Sequence, residues 1–370
     1  MSTLTNLISS GGGGGDNTAS SSGISLAKDG YYITASTDLL IPANMRIKVI
    51  AVGSGGGGGH FFANAGNASG GGAGGCCIKT FDVFLNETLS IVVGAAPAST
   101  QADTANTLVA GNNGNTTTVT NGDSSIIMTA NGGSAGVAVS SGSAVTGGAG
   151  GTASGGDFNY TGGRGGSITV AGPTRSCTGG GGVNFTGSGT QRGGDITDAS
   201  AGTRCVTGGG CPFNHGGDIT SSTNSQATGG GGFFAAVDNA GTGGDPLTVN
   251  ISYPHANVFG DIFFYSTTPE SSVSFGAGGL GQINTIRGGA GGVFGGAGAY
   301  YESSISPGGL GGLFGGGGAA VSGSRIAYEA RGGLGAGGGA TGTGSTSTSD
   351  NARDGRGGAG VVLIFIEEIY

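Results

Sequence analysis

The chain has 370 residues, 92 of them Gly and 8 Pro, with only 9% charged side chains and a formal net charge of −8. Gly and Pro at this level ordinarily mark low-complexity sequence, but disordered chains stay open because they are polar and self-repelling, and here 35% of residues are hydrophobic and mean hydropathy is +0.08; the composition is that of an ordered structure built with Gly. With 13 basic against 21 acidic residues there is no basic footprint for nucleic acid or an anionic membrane surface, and no apolar run reaches the roughly 18 residues of a membrane span.

Residues 1–27 hold neither Lys nor Arg and no continuous apolar stretch, so they do not read as a secretory signal, and a soluble protein made in a cytoplasm is expected. The first organised segment, Met45 to Val52, is β-branched and apolar between Pro42 and Gly53 and predicts a strand. Ile78 to Leu85 and Leu89 to Val93 predict strands around Asn86-Glu87. Thr116 to Val119 faces Ile126 to Ala130 across Asn121-Gly122-Asp123, a hairpin signal. Pro246 to Ser252 and Val258 to Ser266 are two further strand candidates, and Val361 to Ile366 is a continuous apolar run that fits a strand buried on both faces. No segment has a helical period.

Between residues 140 and 358 Gly tracts alternate with short mixed segments, and they repeat. Arg164-Gly-Gly-Ser-Ile-Thr169, Arg192-Gly-Gly-Asp-Ile-Thr197 and His215-Gly-Gly-Asp-Ile-Thr220 are one motif three times, each followed by a Thr and a run of Gly; a second series starts at Gly288, Gly308 and Gly332. Repeats of this size predict a stacked array in which no unit buries enough surface alone. Within the second series Gly falls at every third position: Gly289, Gly292, Gly295 and Gly298; Gly309, Gly312, Gly315 and Gly318; Gly332, Gly335 and Gly338. Period three is the turn of a polyproline II helix, whose N–H and C=O groups point outward, and a stripe without Cβ lets a neighbouring backbone satisfy them. Collagen is excluded because the triplet register does not persist.

Motifs that resemble catalytic chemistry are incomplete. Val49 to Gly58 places G-x-G-x-x-G (Gly53, Gly55, Gly58) after a strand, but neither the helix nor the later acid of a dinucleotide site follows. Gly132-Gly-Ser-Ala-Gly136 satisfies G-x-S-x-G without a His and acid in order. Cys205, Cys211 and His215 have the residue types of a zinc site but no completing pair, and Cys177 and Cys205 stand one repeat apart, which leaves a disulfide open; reduced, buried thiols are the expectation for the five Cys. No paired carboxylates are spaced for acid–base work. No catalytic residue, metal or cofactor is therefore expected. The aromatics fall between Gly tracts: Phe61-Phe62, Phe158, Tyr160, Phe185, Phe213 with His215, Phe233, Phe234, Tyr300, Tyr301 and Tyr328. On a bundle these segments are surface turns, and aromatic loops on a rigid scaffold form a recognition surface; the competing reading is that the rings seal the bundle edges.

Pro42 through Gly59, Gly70 to Gly75, Leu89 to Ala95, Gly111 to Val119 and the closing Gly357 to Val362 resemble the glycine-rich domain of bacteriophage tail proteins, and the tract region is similar in style to the distal tail-fibre adhesins of T-even-type phages. The resemblance implies that the first and last strands share one β module with the Gly bundle inserted between them. The expected fold is thus mostly β with few or no helices: a small β-sandwich-like module plus a polyglycine II bundle, divided as an attachment segment 1–40, a β module 41–139, the tract region 140–355 and a returning strand 356–370. It further implies a non-enzymatic virion protein, synthesised in the host cytoplasm and carried on the tail, that binds a bacterial surface receptor, an outer-membrane protein or a glycan, through the loops near 158–160, 183–186, 211–215, 233–238, 300–305 and 325–330. Its partners would be other tail proteins and copies of itself, or the trimeric fibre that it caps, with no nucleic acid and no membrane insertion. An architectural virion subunit or a self-assembling extracellular fibre is the alternative.

Overall fold

The computed structural model describes residues 24–27, 30–62, 65–102, 104, 106–140, 142–169, 175–187, 189, 191–197, 204–220, 226–232, 282–283, 291, 294–302, 306–323, 327–328, 330–344, 352–353 and 355–369. The strand candidates at 246–252 and 258–266 lie outside the described residues. Those described form strands, turns and extended rows, with no helix among them.

A β-sandwich forms one part. Its first sheet has the spatial order Ile24–Ala27, Gly30–Ile33, Val361–Ile369, Met45–Val52, Cys76–Val83, Phe158–Tyr160, every neighbour antiparallel. The second orders Ala153–Ser154, Ile127–Ala130, Thr117–Asn121, Thr88–Val92 and Thr37–Leu40, again antiparallel. The expected first and last strands therefore pair directly, Val49 opposite Ile364, and the 30–40 stretch, which the sequence assigns to an attachment segment, supplies two strands. Period two decides the packing: Ile47, Val49, Ala51, Val362 and Ile364 point to the core shared with Leu89, Ile91, Val119 and Met128. The alternate residues Ile50, Val52, Val361, Leu363 and Phe365 point the other way and are covered by Val183, Phe185, Phe294 and Phe314. Burial on both faces is why residues 361–365 and 49–52 read as unbroken apolar runs, whereas Arg46 and Lys48, nearer the start of their strand, pair with Asp82 and Glu367.

Where these strands stop, the chain continues as Gly rows tied sideways by backbone hydrogen bonds. In the row from Gly53 to Gly59 the N–H groups of Gly53, Gly56 and Gly59 donate to Gly75, Gly72 and Ser69; those of Ser54 and Gly57 donate to Asn115 and Asn112; those of Gly55 and Gly58 donate to Gly358 and Gly355, all at 2.7–3.0 Å. Each phase of a three-residue period thus serves a different neighbouring row. The same holds further on, where Gly71 and Gly74 donate to Gly338 and Gly335, and Gly337 and Ala340 donate to Gly181 and Thr178. Rows from 53–59, 70–75 and 131–136 interleave with rows from 178–183, 314–319 and 335–340, so the lattice draws on both sides of residue 140.

Short parallel strands stack along the lattice. Gly66–Ala68, Arg175–Cys177, Arg204–Val206 and Gln226–Ala227 make one ladder; His60–Phe62, Thr341–Thr343, Ala320–Ser322, Tyr300–Glu302 and Gln282–Ile283 make another. The six-residue motif stacks as its repetition predicts, with Ile168, Ile196 and Ile219 bridged in parallel and Val145 bridged antiparallel to Ile168.

Candidate functional site

The three motif copies are riveted by charge. The Arg164 guanidinium donates bidentately to Asp195 of the next copy (Nη1–Oδ1 2.9 Å, Nη2–Oδ2 2.6 Å), and Arg192 does the same to Asp218 (both 2.6 Å). Each Asp also accepts a backbone N–H from the preceding copy, Ser167 on Asp195 and Asp195 on Asp218, both at 2.7 Å. Burial alone would raise the Asp218 carboxyl, but the Arg192 hydrogen bonds, the Asp195 N–H and the charges of Arg192 and His215 outweigh it and hold the pKa below the usual carboxylate range. The Thr after each copy ties the next row down: the hydroxyls of Thr178, Thr207 and Thr228 donate to Gly166, Gly194 and Gly217 at 2.6 Å. The repeated motif was legible; its cross-copy pairing was signalled only by Arg at the first and Asp at the fourth position.

Two turns on this scaffold are built alike. Asn184 Oδ1 accepts the N–H groups of Thr186 and Gly187, and Cys211 Sγ accepts those of Phe213 and Asn214. Gly187, at φ +74°, lies against the Tyr160 ring. The Phe158 ring, 57% exposed, stacks on Tyr160 with centroids 6.4 Å apart at 11°. Tyr160 and Phe213 are half-buried against the same apolar cluster that encloses Phe185. The structure thus brings Phe158, Tyr160, Phe185 and Phe213 into one neighbourhood, with Phe158 presented outward and Phe185 turned inward, edge-on to Phe314 at 5.0 Å and 80°. His215 is half-buried, its Nδ1 2.7 Å from the Gly216 carbonyl and 3.8 Å from Asp218 Oδ2.

The remaining aromatics do not form surface turns together. Tyr300 and Tyr301 are buried in the parallel ladder beside Ala320 and Val321, Phe61 and Phe62 are fully buried, and Tyr328 is half-buried next to Pro307. Phe233 and Phe234 lie outside the described residues, as do Gly289 and Gly292. Of the Gly stripe, Gly312 and Gly309 donate to Gly295 and Gly298 (3.0 and 3.3 Å), Gly332 and Gly335 donate to Arg356 and Ala359, and Gly338 donates to Gly56. Gly315 and Gly318 instead close local bonds to Gly312 and Gly309.

The catalytic resemblances dissolve into this lattice. Gly53 spends its N–H group on the row ending at Gly75 and Gly55 and Gly58 spend theirs on the row at 355–358, and Ser134 sits exposed in an extended row that accepts from Gly72 and donates to Ala149. Cys177 and Cys205 do not stack: Cys177 pairs with Val206, Cys205 with Ser176, and the two thiols enter different clusters. The register follows the Thr-Gly-Gly-Gly rows rather than the Arg motif, and the spacer between them is one residue longer in the second copy. All five Cys are free and buried. Burial, reinforced by Cys77, pushes the Cys76 thiol well up; burial pushes Cys177 well up and Cys77 and Cys211 up to about 11, so these stay protonated at neutral pH and are poor nucleophiles. Among the described residues no three His, Cys, Asp or Glu side chains gather as a metal site. A family model described as a glycine-rich domain matches residues 33–253, and a search of curated proteins found no significant match.

Proposed function

Since the chain belongs to the glycine-rich domain family, we propose that it is a non-enzymatic virion protein, a tail-fibre or tail-tip adhesin that contacts a bacterial surface receptor with the turns projecting from its Gly rows. The observation that carries this reading is the three-directional bonding of the rows. A row whose successive N–H groups serve three neighbours is bonded as a polyglycine II helix would be, and a lattice so tied holds its turns in place, so they lose little entropy on engaging a partner. Phe158 and Tyr160 on their edge strand and Phe213 with His215 after the Cys211 turn are among the side chains that remain open to solvent in whole or part, and an aromatic pair on a rigid strand suits saccharide or protein alike. The partners of such an adhesin are the neighbouring tail proteins and the receptor; its place is the virion tail.

The test is binding of fluorescently labelled protein to a panel of bacterial strains, with sedimentation of the same sample. Strain-selective attachment by a discrete species is expected, weakened about tenfold by Phe158→Ala, whose exposed ring contributes little to folding. A folded sample that attaches to no strain and sediments as open-ended polymers would support the architectural alternative instead.

A further inference from the structure

The short strands Gly66–Ala68 and Arg175–Cys177 run parallel in register, with Asn67 opposite Ser176. Side chains alternate across a strand. Ala68 and Cys177 join the cluster around Phe61 and Val321, so Asn67 and Ser176 face the other way, toward the layer in which Cys205, the register partner of Ser176, packs with Val145 and Ile168. Both are fully buried. Asn67 Nδ2 donates to the Ser143 carbonyl at 2.9 Å, which fixes the amide, because the opposite orientation would set two acceptor oxygens against each other. Its Oδ1 is left over, and neither Asn67 Oδ1 nor Ser176 Oγ has a hydrogen-bond partner among the described residues. Two polar oxygens on the same face of strands about 4.8 Å apart are thus enclosed without a bond, each at a cost that native interiors rarely leave standing.

We infer that Asn67 and Ser176 form an internal hydration site, in which a single enclosed water molecule donates to Asn67 Oδ1 and bonds the Ser176 hydroxyl. The walls select a neutral ligand. A hard cation takes about six or more oxygens, whereas here two uncharged oxygens face a cluster of Val145, Ile168 and Cys205 with Val139 packed against it. Water carries two donors and two acceptors and satisfies both oxygens at once. Two residues beyond Ser143, Val145 bridges Ile168 of the first motif copy, so the water fastens the parallel ladder to the base of the motif stack at the point where Asn67 already holds Ser143. The site stands on the two buried oxygens and is independent of the adhesin reading.

A high-resolution crystal structure of the full chain tests this, together with magnetic relaxation dispersion of the water signal, which counts the water molecules held long enough to tumble with the protein. The expected density is one peak within hydrogen-bond distance of both Asn67 Oδ1 and Ser176 Oγ. The dispersion amplitude should fall by the equivalent of one water in Ser176→Val, whose methyl groups fill the site and remove one of its oxygens. No peak between the two side chains of the wild type, a direct bond between them, or an unchanged amplitude in a folded Ser176→Val variant overturns the site. A peak that strengthens when crystals are soaked in rubidium marks a cation and overturns the assignment to water. Where the variant fails to fold, the wild-type density decides.

Discussion

At the scale of single residues, the lattice is a constraint on Cβ atoms. A Cβ placed on Gly180 would overlap the carbonyl oxygen of Gly337, a backbone atom already bonded to Gly317 and unable to move without dragging a third row. Gly180→Ala is therefore expected to destabilise the protein by about 3 kcal/mol, at the upper end of ordinary overpacking. Gly122 is the control: it sits in the hairpin turn, where a Cβ would have the Thr88 carbonyl oxygen as its nearest neighbour, 3.8 Å away. Gly122→Ala should be neutral or slightly stabilising, by up to about 1 kcal/mol, through the unfolded chain. Urea denaturation of the two variants checks both; equal midpoints would mean that the rows part easily to admit a methyl group. Gly335 shows the other use of the residue. Phe294, Phe314 and Gly335 precede the mutually stacked ladder residues Tyr300, Ala320 and Thr341 by the same distance along the chain and all have positive φ, 70°, 63° and 70°. The third is Gly because a Cβ there would meet Val52 Cγ1 at 2.5 Å and Val183 Cγ2 at 2.9 Å. The two Phe rings, stacked 6.0 Å apart, offset a strained backbone by filling the cluster over the sandwich.

At the scale of elements, the Arg–Asp ladder makes a stack of short segments cooperative, and it makes that stack sensitive to acid. Asp218 has a folded pKa below that of the unfolded chain, about 3.9. Its contribution is therefore fully present above roughly pH 4 and is lost as pH falls through the folded value. Asp218→Asn should cost about 2 kcal/mol at neutral pH, the worth of charge-assisted bonds to Arg192, and the difference in melting temperature between wild type and variant should close as the pH is lowered toward 3. A difference that persists unchanged at pH 3 would show that the amide disturbs packing rather than charge. The stacking itself was legible, since the six-residue motif repeats plainly and its Ile residues bridge as expected. The register was not. Sequence aligns Cys177 with Cys205 through the Arg motif, whereas the rows align through Thr178 and Thr207, whose hydroxyls and N–H groups do the bonding, and a spacer of different length absorbs the discrepancy. For the same reason burial of Phe185, Tyr300 and Tyr301 was hidden: in a Gly-built array, whether a ring between tracts seals an interior or faces water depends on which distant row passes over it, and nothing local to the ring records that.

At the scale of the whole molecule, sandwich and lattice are continuous. Val52 leads directly into Gly53, Gly75 into Cys76 and Gly360 into Val361, so strands at the centre of the first sheet are prolonged as rows of the lattice. The strand ends and the row ends are held by one another: Gly53 donates to Gly75, and Gly360 donates to Gly94. The Met45–Val52 strand deepens the coupling, with Ile47, Val49 and Ala51 closing the sandwich and Ile50 and Val52 on its other face closing the cluster beneath Phe185 and Phe314. Sequence made the closing strand visible, because a run from Val361 to Ile366 has no polar face, but it placed the division between β module and Gly region at residue 140, where the rows recognise no boundary. Two separate domains would unfold in two steps; one continuous body unfolds in one. Hydrogen exchange followed by mass spectrometry in increasing urea resolves this, since amides of Met45–Val52 report on the sandwich and amides of the row at 335–340 report on the lattice. The expected result is a single opening free energy shared by both peptides and falling with the same dependence on urea. Exchange of the row amides at concentrations that leave the strand protected would instead make the sandwich an independent unit, and the rigidity proposed for the turns would then have to come from the rows alone.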